Sequence, residues 1–233
     1  MADSAVRRDR LLLALTFAAG CVDALSYLGL SRVFTANMTG NAVLLGLAIG
    51  QTQELQVAHS SAAIVGFVAG VLLGARLVGP VRERVIWSPR VTAAVGLEAV
   101  VLVLFGIGWW LQGPAARGSG LVGLIVLSGL AMGIQSAVAR KLAVPGVSTT
   151  YVTGTITALI AELTSVSGAV GDRRRMTAVI GALIAGAVIG GVAQAYARPA
   201  AALVPALVVA VVVAVGRIPS PPSGAKRVRG QER

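Results

Sequence analysis

The sequence is poor in the residues that build metal centres and disulfides. Its 233 residues include one cysteine, Cys21, and one histidine, His59. A single cysteine excludes an intrachain disulfide and a cysteine metal cluster, and a lone histidine has no second histidine with which to share a metal ion. We therefore expect no metal and no cofactor, and a packing role for Cys21 within its apolar segment.

Charged residues are also scarce. They make up 12% of the chain against 56% hydrophobic residues, and the mean hydropathy is +0.83, whereas soluble domains carry about 25% charged residues. The apolar residues form blocks near the length of about 20 that crosses a bilayer core. This composition predicts an all-α integral membrane protein with several spans and the lipid bilayer as its main partner.

Acidic residues are fewer than basic ones, 9 against 20, which gives a net charge of +11. Lys and Arg stand almost entirely between the apolar blocks and at the two ends of the chain. Membrane topology explains this distribution better than a nucleic-acid partner, which we do not expect. Phosphate-binding loops, Gly-x-Ser-x-Gly elbows and His-Glu-x-x-His motifs are missing, so an ATP-driven pump or a familiar membrane hydrolase lacks its machinery, and we expect no enzyme.

Eight apolar segments follow a short N-terminal stretch, residues 1–10, and precede a basic tail, residues 217–233, that is predicted to be disordered. They are 11–30, 33–50, 58–75, 91–111, 118–139, 147–165, 176–197 and 200–216. Segments 33–50 and 147–165 open with polar residues and keep only about ten apolar ones, too few to cross a bilayer. They are therefore predicted to be broken or re-entrant half-helices.

The chain repeats itself, with residues 11–111 as the first repeat and 112–216 as the second. The matching pairs are Ala19-Gly20 with Met132-Gly133 (offset 113), Thr35–Asn41 with Thr149–Thr155 (offset 114), and Gly70 and Gly74 with Gly186 and Gly190 (offset 116). Three matches in the same order, with nearly constant offsets, favour a duplication.

The positive-inside rule favours six spans. If all eight segments span, the 20 Lys and Arg divide 12 to 8 between the two sides; if 33–50 and 147–165 do not span, they divide 17 to 3. We expect six transmembrane helices with both termini cytoplasmic. The two halves would then be inverted repeats, an architecture that recurs in secondary transporters with a substrate site at the repeat interface.

Polar residues stand at the start of each predicted half-helix. The first set is Asn37, Thr39, Gly40 and Asn41, and the second is Tyr151, Thr153, Gly154 and Thr155. Helix starts offer free amide donors and a partial positive charge, which favour anions or polar carbonyl groups. We expect both sets to line one substrate site; the alternative is that Thr and Asn only cap the helices.

Two acids fall inside predicted spans, Asp23 and Glu98. A charge near the middle of the bilayer costs at least about 2.5 kcal/mol, so each acid needs a partner, a wet cavity or a proton. Both are candidates for proton or ion coupling. The structural alternative is that Asp23 binds backbone at the broken second segment and that Glu98 pairs with a basic helix end such as Arg76.

Glycines four residues apart mark one face of two segments, and such faces let another helix approach closely. They are Gly66, Gly70 and Gly74, and then Gly186 and Gly190. This spacing predicts close packing, either within the protomer or in a homodimer.

The stretch Ala19–Leu28, followed by Val33–Asn41, resembles the signature of the YoaK family of bacterial membrane proteins, and Gly133–Ala137 and Thr153–Thr155 fit the same family. The resemblance covers most of residues 11–216. It implies a location in the bacterial inner membrane and no particular substrate.

Three functions remain open from the sequence. The first is a small secondary transporter or facilitator for a small polar or anionic solute. The second is an aquaporin-like channel, by analogy of architecture alone. The third is an intramembrane enzyme for a lipid-linked substrate, in which Asp23 and Glu98 would serve as acid and base and the basic cytoplasmic face would bind the headgroup.

Overall fold

The computed structural model describes residues 2–80, 87–112, 117–142, 152–164 and 170–218, and these residues form helices with no strand among them. The helices are α1 (Ala2–Gly29), α2 (Met38–Gly50), α3 (Glu54–Val78), α4 (Pro89–Gln112), α5 (Gly118–Leu142), α6 (Val152–Thr164), α7 (Val170–Tyr196) and α8 (Leu203–Gly216), with a 3-10 turn (Arg198–Ala200) before α8. Tyr151 and the basic tail from residue 219 lie outside the described residues.

Six helical stretches are long and apolar enough to cross a membrane: α1, α3, α4, α5, α7 and the stretch Arg198–Gly216 that contains α8. Helices α2 and α6 have 13 residues each. At 1.5 Å per residue they are roughly 20 Å long, whereas the hydrocarbon core is about 30 Å thick. The prediction of an all-α membrane protein with six spans is confirmed.

Two helix boundaries differ from the predicted segments. Helix α1 begins at Ala2 rather than at residue 11, and Asp9 pairs there with Arg8 at 2.8 Å and with Arg175 of α7 at 3.1 Å. Helix α2 begins at Met38 rather than at residue 33, because the intervening residues form a loop whose backbone is bound by side chains.

The centre of the molecule is a four-helix core of α1, α4, α5 and α8, which contribute most of the buried apolar side chains of two clusters, one toward each end of the core. Helix α3 packs on α5 and helix α7 packs on α1. The short helix α2 packs on α3, and α6 packs on α7. Each peripheral pair is therefore attached to one core helix.

The glycine faces make backbone contacts in these peripheral pairs. A Cβ atom added at Gly70 of α3 would collide with the Leu130 carbonyl of α5, and one added at Gly186 of α7 would collide with the Phe17 carbonyl of α1. The close packing expected at these glycines thus occurs within the chain. The homodimer expected through these faces stays a prediction.

Contacts at successive levels give the helix directions. Phe17 faces Gly186 and Cys21 faces Gly190, so α1 and α7 run the same way. Helices α3 and α5 also run the same way, since Gly66 faces Val126 and Gly74 faces Ile134.

Helices α4 and α8 run in opposite directions. At one end Trp109 Nε1 donates to the Arg198 carbonyl at 2.8 Å, and at the other Trp87 lies against Gly216. Helix α1 is also antiparallel to α8, because Arg7 near its start donates to the Val215 carbonyl at 2.7 Å near the end of α8.

Candidate functional site

Asp23 binds the loop that connects α1 to α2. After α1 the chain reverses through Ser31 and Arg32, both with φ of 59°. The following loop returns along α1, and the backbone amides of Thr35 and Ala36 donate to Asp23 Oδ1 at 2.8 and 2.7 Å. Because Asp23 lies six residues before Gly29, the loop reaches about 9 Å back from the end of α1.

Asn41 binds the same loop from the other side. Its side chain is fully buried; Oδ1 accepts from the Phe34 amide at 2.9 Å, and Nδ2 donates to the Phe34 carbonyl. The hydroxyls of Ser26 and Thr35 lie 3.4 Å apart nearby. Asp23 and Asn41 thus bind buried backbone groups that have no helical partner. For Asp23 this is the structural role that the sequence offered as the alternative to proton or ion coupling.

The start of α2 presents polar side chains outward. Asn37 caps the helix, its Oδ1 accepting from the Gly40 amide at 3.3 Å, and the side chains of Asn37 and Thr39 are exposed. A Cβ atom at Gly40 would lie 2.9 Å from the Phe34 ring, which stacks on Tyr27 with ring centroids 5.1 Å apart. Gly40 therefore provides space for that aromatic pair.

The second set is described only in part. Thr155, the repeat equivalent of Asn41, is buried like it, and Gly154 is half-buried at the start of α6. Thr153 is helical, but its side chain and all of Tyr151 lie outside the described residues. Within the described residues α2 and α6 do not pack extensively on each other, so a site shared by both remains a prediction.

Glu98 is not brought to Asp23. Since Gly29 of α1 faces Trp109 of α4 and these helices are parallel, Glu98 lies about 8 Å deeper than Asp23. Glu98 is fully buried, and neither of its carboxylate oxygens has a hydrogen-bond partner among the described residues. The expected pairing with Arg76 is not formed, because Arg76 is exposed on α3.

Gln135 of α5 was not among the predicted site residues. It is fully buried, and both its side-chain polar atoms lack a partner within the described part of the chain. The sequence signal that could have indicated Gln135 is its carboxamide side chain inside an otherwise apolar span.

Among the described residues, no three His, Cys, Asp or Glu side chains lie close enough together to bind a metal ion.

Comparison with known proteins gives a family. The model of a family described as "Protein of unknown function (DUF1275)" matches residues 11–216. The chain is 41% identical over 160 residues to the UPF0700 transmembrane protein YoaK of Bacillus subtilis (strain 168), which covers 69% of each chain. No solved structure matches. The chain therefore belongs to the DUF1275 family, and it is a membrane protein of that family.

Proposed function

We propose that the protein is a small secondary transporter or facilitator for a small polar or anionic solute in the bacterial inner membrane. One observation carries the proposal: equivalent residues of the two halves make equivalent contacts. A Cβ atom added at Gly20 would meet Leu183 and Ala187, and one added at its equivalent, Gly133, would meet Phe67 and Val71. Phe67 and Val71 precede Leu183 and Ala187 by 116 positions, the offset of the glycine faces.

The helix directions support inverted halves. Helices α1 and α4 are both antiparallel to α8, so they run the same way, which supports a topology in which only α3 crosses between them. Helices α4 and α8 run in opposite directions, which supports crossings by α5 and α7 but not by α6. Helices α1 and α5, the first of each half, then point in opposite directions, as in the inverted repeats of secondary transporters.

The charge distribution supports the orientation. With α2 and α6 not crossing, 17 of the 20 Lys and Arg lie on the side of the N-terminus. Positive residues in short loops concentrate on the cytoplasmic side. Both termini are accordingly proposed to be cytoplasmic, with the α2–α3 turn at residues 51–53 external.

The start of α2 is proposed as part of the solute site. Non-helical backbone at membrane depth is tolerated where protein buries it or where it lines a water-filled cavity. The inner side of the loop is bound by Asp23 and Asn41, whereas Asn37 and Thr39 are exposed. They stand at a helix start, whose free amides and dipole suit a polar or anionic solute. Thr153 and Gly154 are their proposed counterparts, and Asp23 positions the loop.

Solute counterflow in proteoliposomes tests this function. Vesicles holding the purified chain are preloaded with one member of a panel of small anions, zwitterions and neutral polar solutes, and uptake of the same labelled solute is followed. A carrier must return its site across the membrane, so preloading should accelerate uptake and the rate should saturate. Uptake that is linear in concentration and indifferent to preloading would support the channel instead.

A further inference from the structure

Glu98 and Gln135 are the largest polar side chains that the core buries completely. Their four side-chain oxygen and nitrogen atoms have no hydrogen-bond partner within the described residues. Buried polar groups are nearly always paired, and an isolated ionised carboxylate in an apolar environment is costly enough that the group neutralises instead. Two such side chains in neighbouring core helices therefore require a physical explanation.

The two side chains lie at nearly the same depth. Gly108 of α4 faces Leu124 of α5, and the helices are antiparallel, so Glu98, ten residues before Gly108, lies within about one helical turn of Gln135. Gln135 also lies about 200° around α5 from Gly133, which faces α3. Its side chain is thus on the side of α5 away from α3.

Glu98 belongs to the buried stripe of α4, whose continuation packs on α5. Phe105 and Trp109, seven and eleven residues beyond Glu98, share an apolar cluster with Leu124 and Ile125 of α5. At 100° per residue these spacings return to the same helix face within about 20°. The stripe of α4 therefore directs Glu98 toward the interface that holds Gln135.

The described helices around this interface offer no cation to Glu98. Helix α8 has no charged residue, and on α5 Arg140 is exposed while Lys141 donates to the Pro80 carbonyl. Arg198 lies at the other end of α4, beside Trp109. On α4 itself Arg90 is exposed. The charged or titratable side chains on α3 are the exposed Arg76 and Glu54 and, in its outer half, His59. The described ones on α1 are Arg7, Arg8, Asp9 and Arg10 near its start, the buried Cys21, the exposed Tyr27, and Asp23, which binds the loop before α2.

We propose that Glu98 and Gln135 form a proton-binding site between α4 and α5. The carboxylate of Glu98 takes one proton from a hydronium ion; an O–H bond of hydronium breaks, leaving water, as an O–H bond forms on the carboxyl group. The acid donates that hydrogen to the carboxamide oxygen of Gln135. On release the O–H bond breaks, the proton returns to water, and the carboxamide NH₂ donates to the ionised carboxylate. A proton suits the site better than a hard metal cation, which takes six or more oxygen ligands, because these side chains supply three.

The position of the site gives it a use that rests on the proposed function. Helix α4 is the last helix of the first half of the chain and α5 is the first helix of the second. The proton would therefore be bound at the interface between the two halves. Movement of one half against the other would expose Glu98 to opposite sides of the membrane in turn. Proton binding itself, however, does not depend on which solute is carried.

Infrared spectroscopy of the full chain in liposomes tests the site without any transport assay. A protonated carboxyl group gives a carbonyl-stretch band that an ionised one lacks. At neutral pH we expect such a band in the wild type, its loss in Glu98→Gln, and its retention in the control Asp23→Asn. In Gln135→Leu the band should move to higher frequency, because the acid has lost its hydrogen-bond partner.

Each outcome decides a separate point. A spectrum unchanged by Glu98→Gln would overturn the proton site, and a band that stays in place in Gln135→Leu would remove Gln135 from it. If Gln135→Leu fails to fold, Gln135→Asn, whose carboxamide is one methylene shorter, should shift the band in the same direction. A confirmed band in a protein without solute counterflow would refute the transporter and leave the proton site standing.

Discussion

At the residue scale, Asp23 and Glu98 separate into two different kinds of acid within the helices. Asp23 accepts two backbone amides from the loop before α2, whereas Glu98 has no partner among the described residues. The backbone amides hold the Asp23 carboxylate in one place and use its charge to anchor the loop, whereas the Glu98 side chain has no such structural contact within the described part of the chain. We therefore propose that coupling lies at Glu98 and that Asp23 has a structural role.

Substitutions of Asp23 should lower thermal stability to a degree that depends on whether the new side chain still accepts hydrogen bonds from the loop. Asp23→Asn keeps a side-chain oxygen for the amides of Thr35 and Ala36, whereas Asp23→Leu leaves two donors unpaired, at about 1–3 kcal/mol each. We expect a small loss of thermal stability for Asn and a large one for Leu, measured by unfolding in detergent. Equal losses in the two variants would contradict the loop-anchoring role.

Substitutions of the two acids are expected to have opposite effects on the pH dependence of solute flux. Solute flux driven by a pH gradient should keep its pH dependence in Asp23→Asn and lose it in Glu98→Gln, because only the second change removes the proposed proton site. Flux in proteoliposomes with and without the gradient measures this. Loss of the pH dependence in a well-folded Asp23→Asn protein would return the coupling role to Asp23.

Substitutions of Thr39 and Asn37 distinguish a role in solute binding from a role in helix capping. Thr39→Val removes an exposed hydroxyl at nearly constant volume and should weaken solute binding by about 0.5–1.5 kcal/mol with little change in melting temperature. Asn37→Ala removes the cap of Gly40 and should lower stability by about 1 kcal/mol. Affinity and melting are measured on both variants. Unchanged affinity in Thr39→Val would remove Thr39 from the site.

The sequence indicated the polar residues near the break but not how they are used. Asp23 and Asn41 were recognisable as polar groups in apolar surroundings, yet their partners are backbone groups of Phe34, Thr35 and Ala36, which no side-chain pattern reveals. Gln135 was missed because a single carboxamide in a span has no periodic signal. Its burial follows from α5 being enclosed by its neighbours, which is a tertiary property.

At the element scale, hydropathy and glycine spacing were sufficient for much of the architecture. The long apolar blocks gave the six spans, and the Thr-Gly stretches marked the two short helices. The apolar segment was bounded at residue 33, whereas α2 begins at Met38, close to the polar residues that were expected to start the half-helix. The loop conformation of residues 33–37 depends on Asp23 and Asn41, which lie before and after them in the chain.

The glycine contacts between α1 and α7 can be tested with a matched pair on one helix. Gly186→Ala would drive a methyl group into the Phe17 carbonyl, whereas Gly181 is exposed and has nothing within 4 Å of an added Cβ atom. Overpacking of this kind costs about 1–3 kcal/mol. Gly186→Ala should lower the melting temperature and Gly181→Ala should not. Equal melting of both variants would contradict this packing.

At the scale of the whole molecule, the sequence predicted two repeats but not which helices pair. The offsets of 113 to 116 residues relate α1 to α5 and α3 to α7; that α1 then packs on α7, and α3 on α5, follows only from the folded arrangement. These cross-pairs join each half to the other. An exchange of the halves interchanges the α1–α7 and α3–α5 pairs, which is the symmetry that we use to propose a transporter.

The most direct test of this account asks whether α2 and α6 cross the membrane. In a Cys21→Ser background, single cysteines are placed at Gln53, in the turn after α2, and at Ala200, before α8, both of which are exposed. An impermeant thiol reagent is then added to intact cells and to inverted vesicles. Six spans predict that both cysteines are labelled from the outside. With a cytoplasmic N-terminus, labelling of Gln53→Cys and Ala200→Cys from opposite sides would mean that α6 spans, and labelling of both from the cytoplasm would mean that α2 spans. Either result would contradict the inverted architecture.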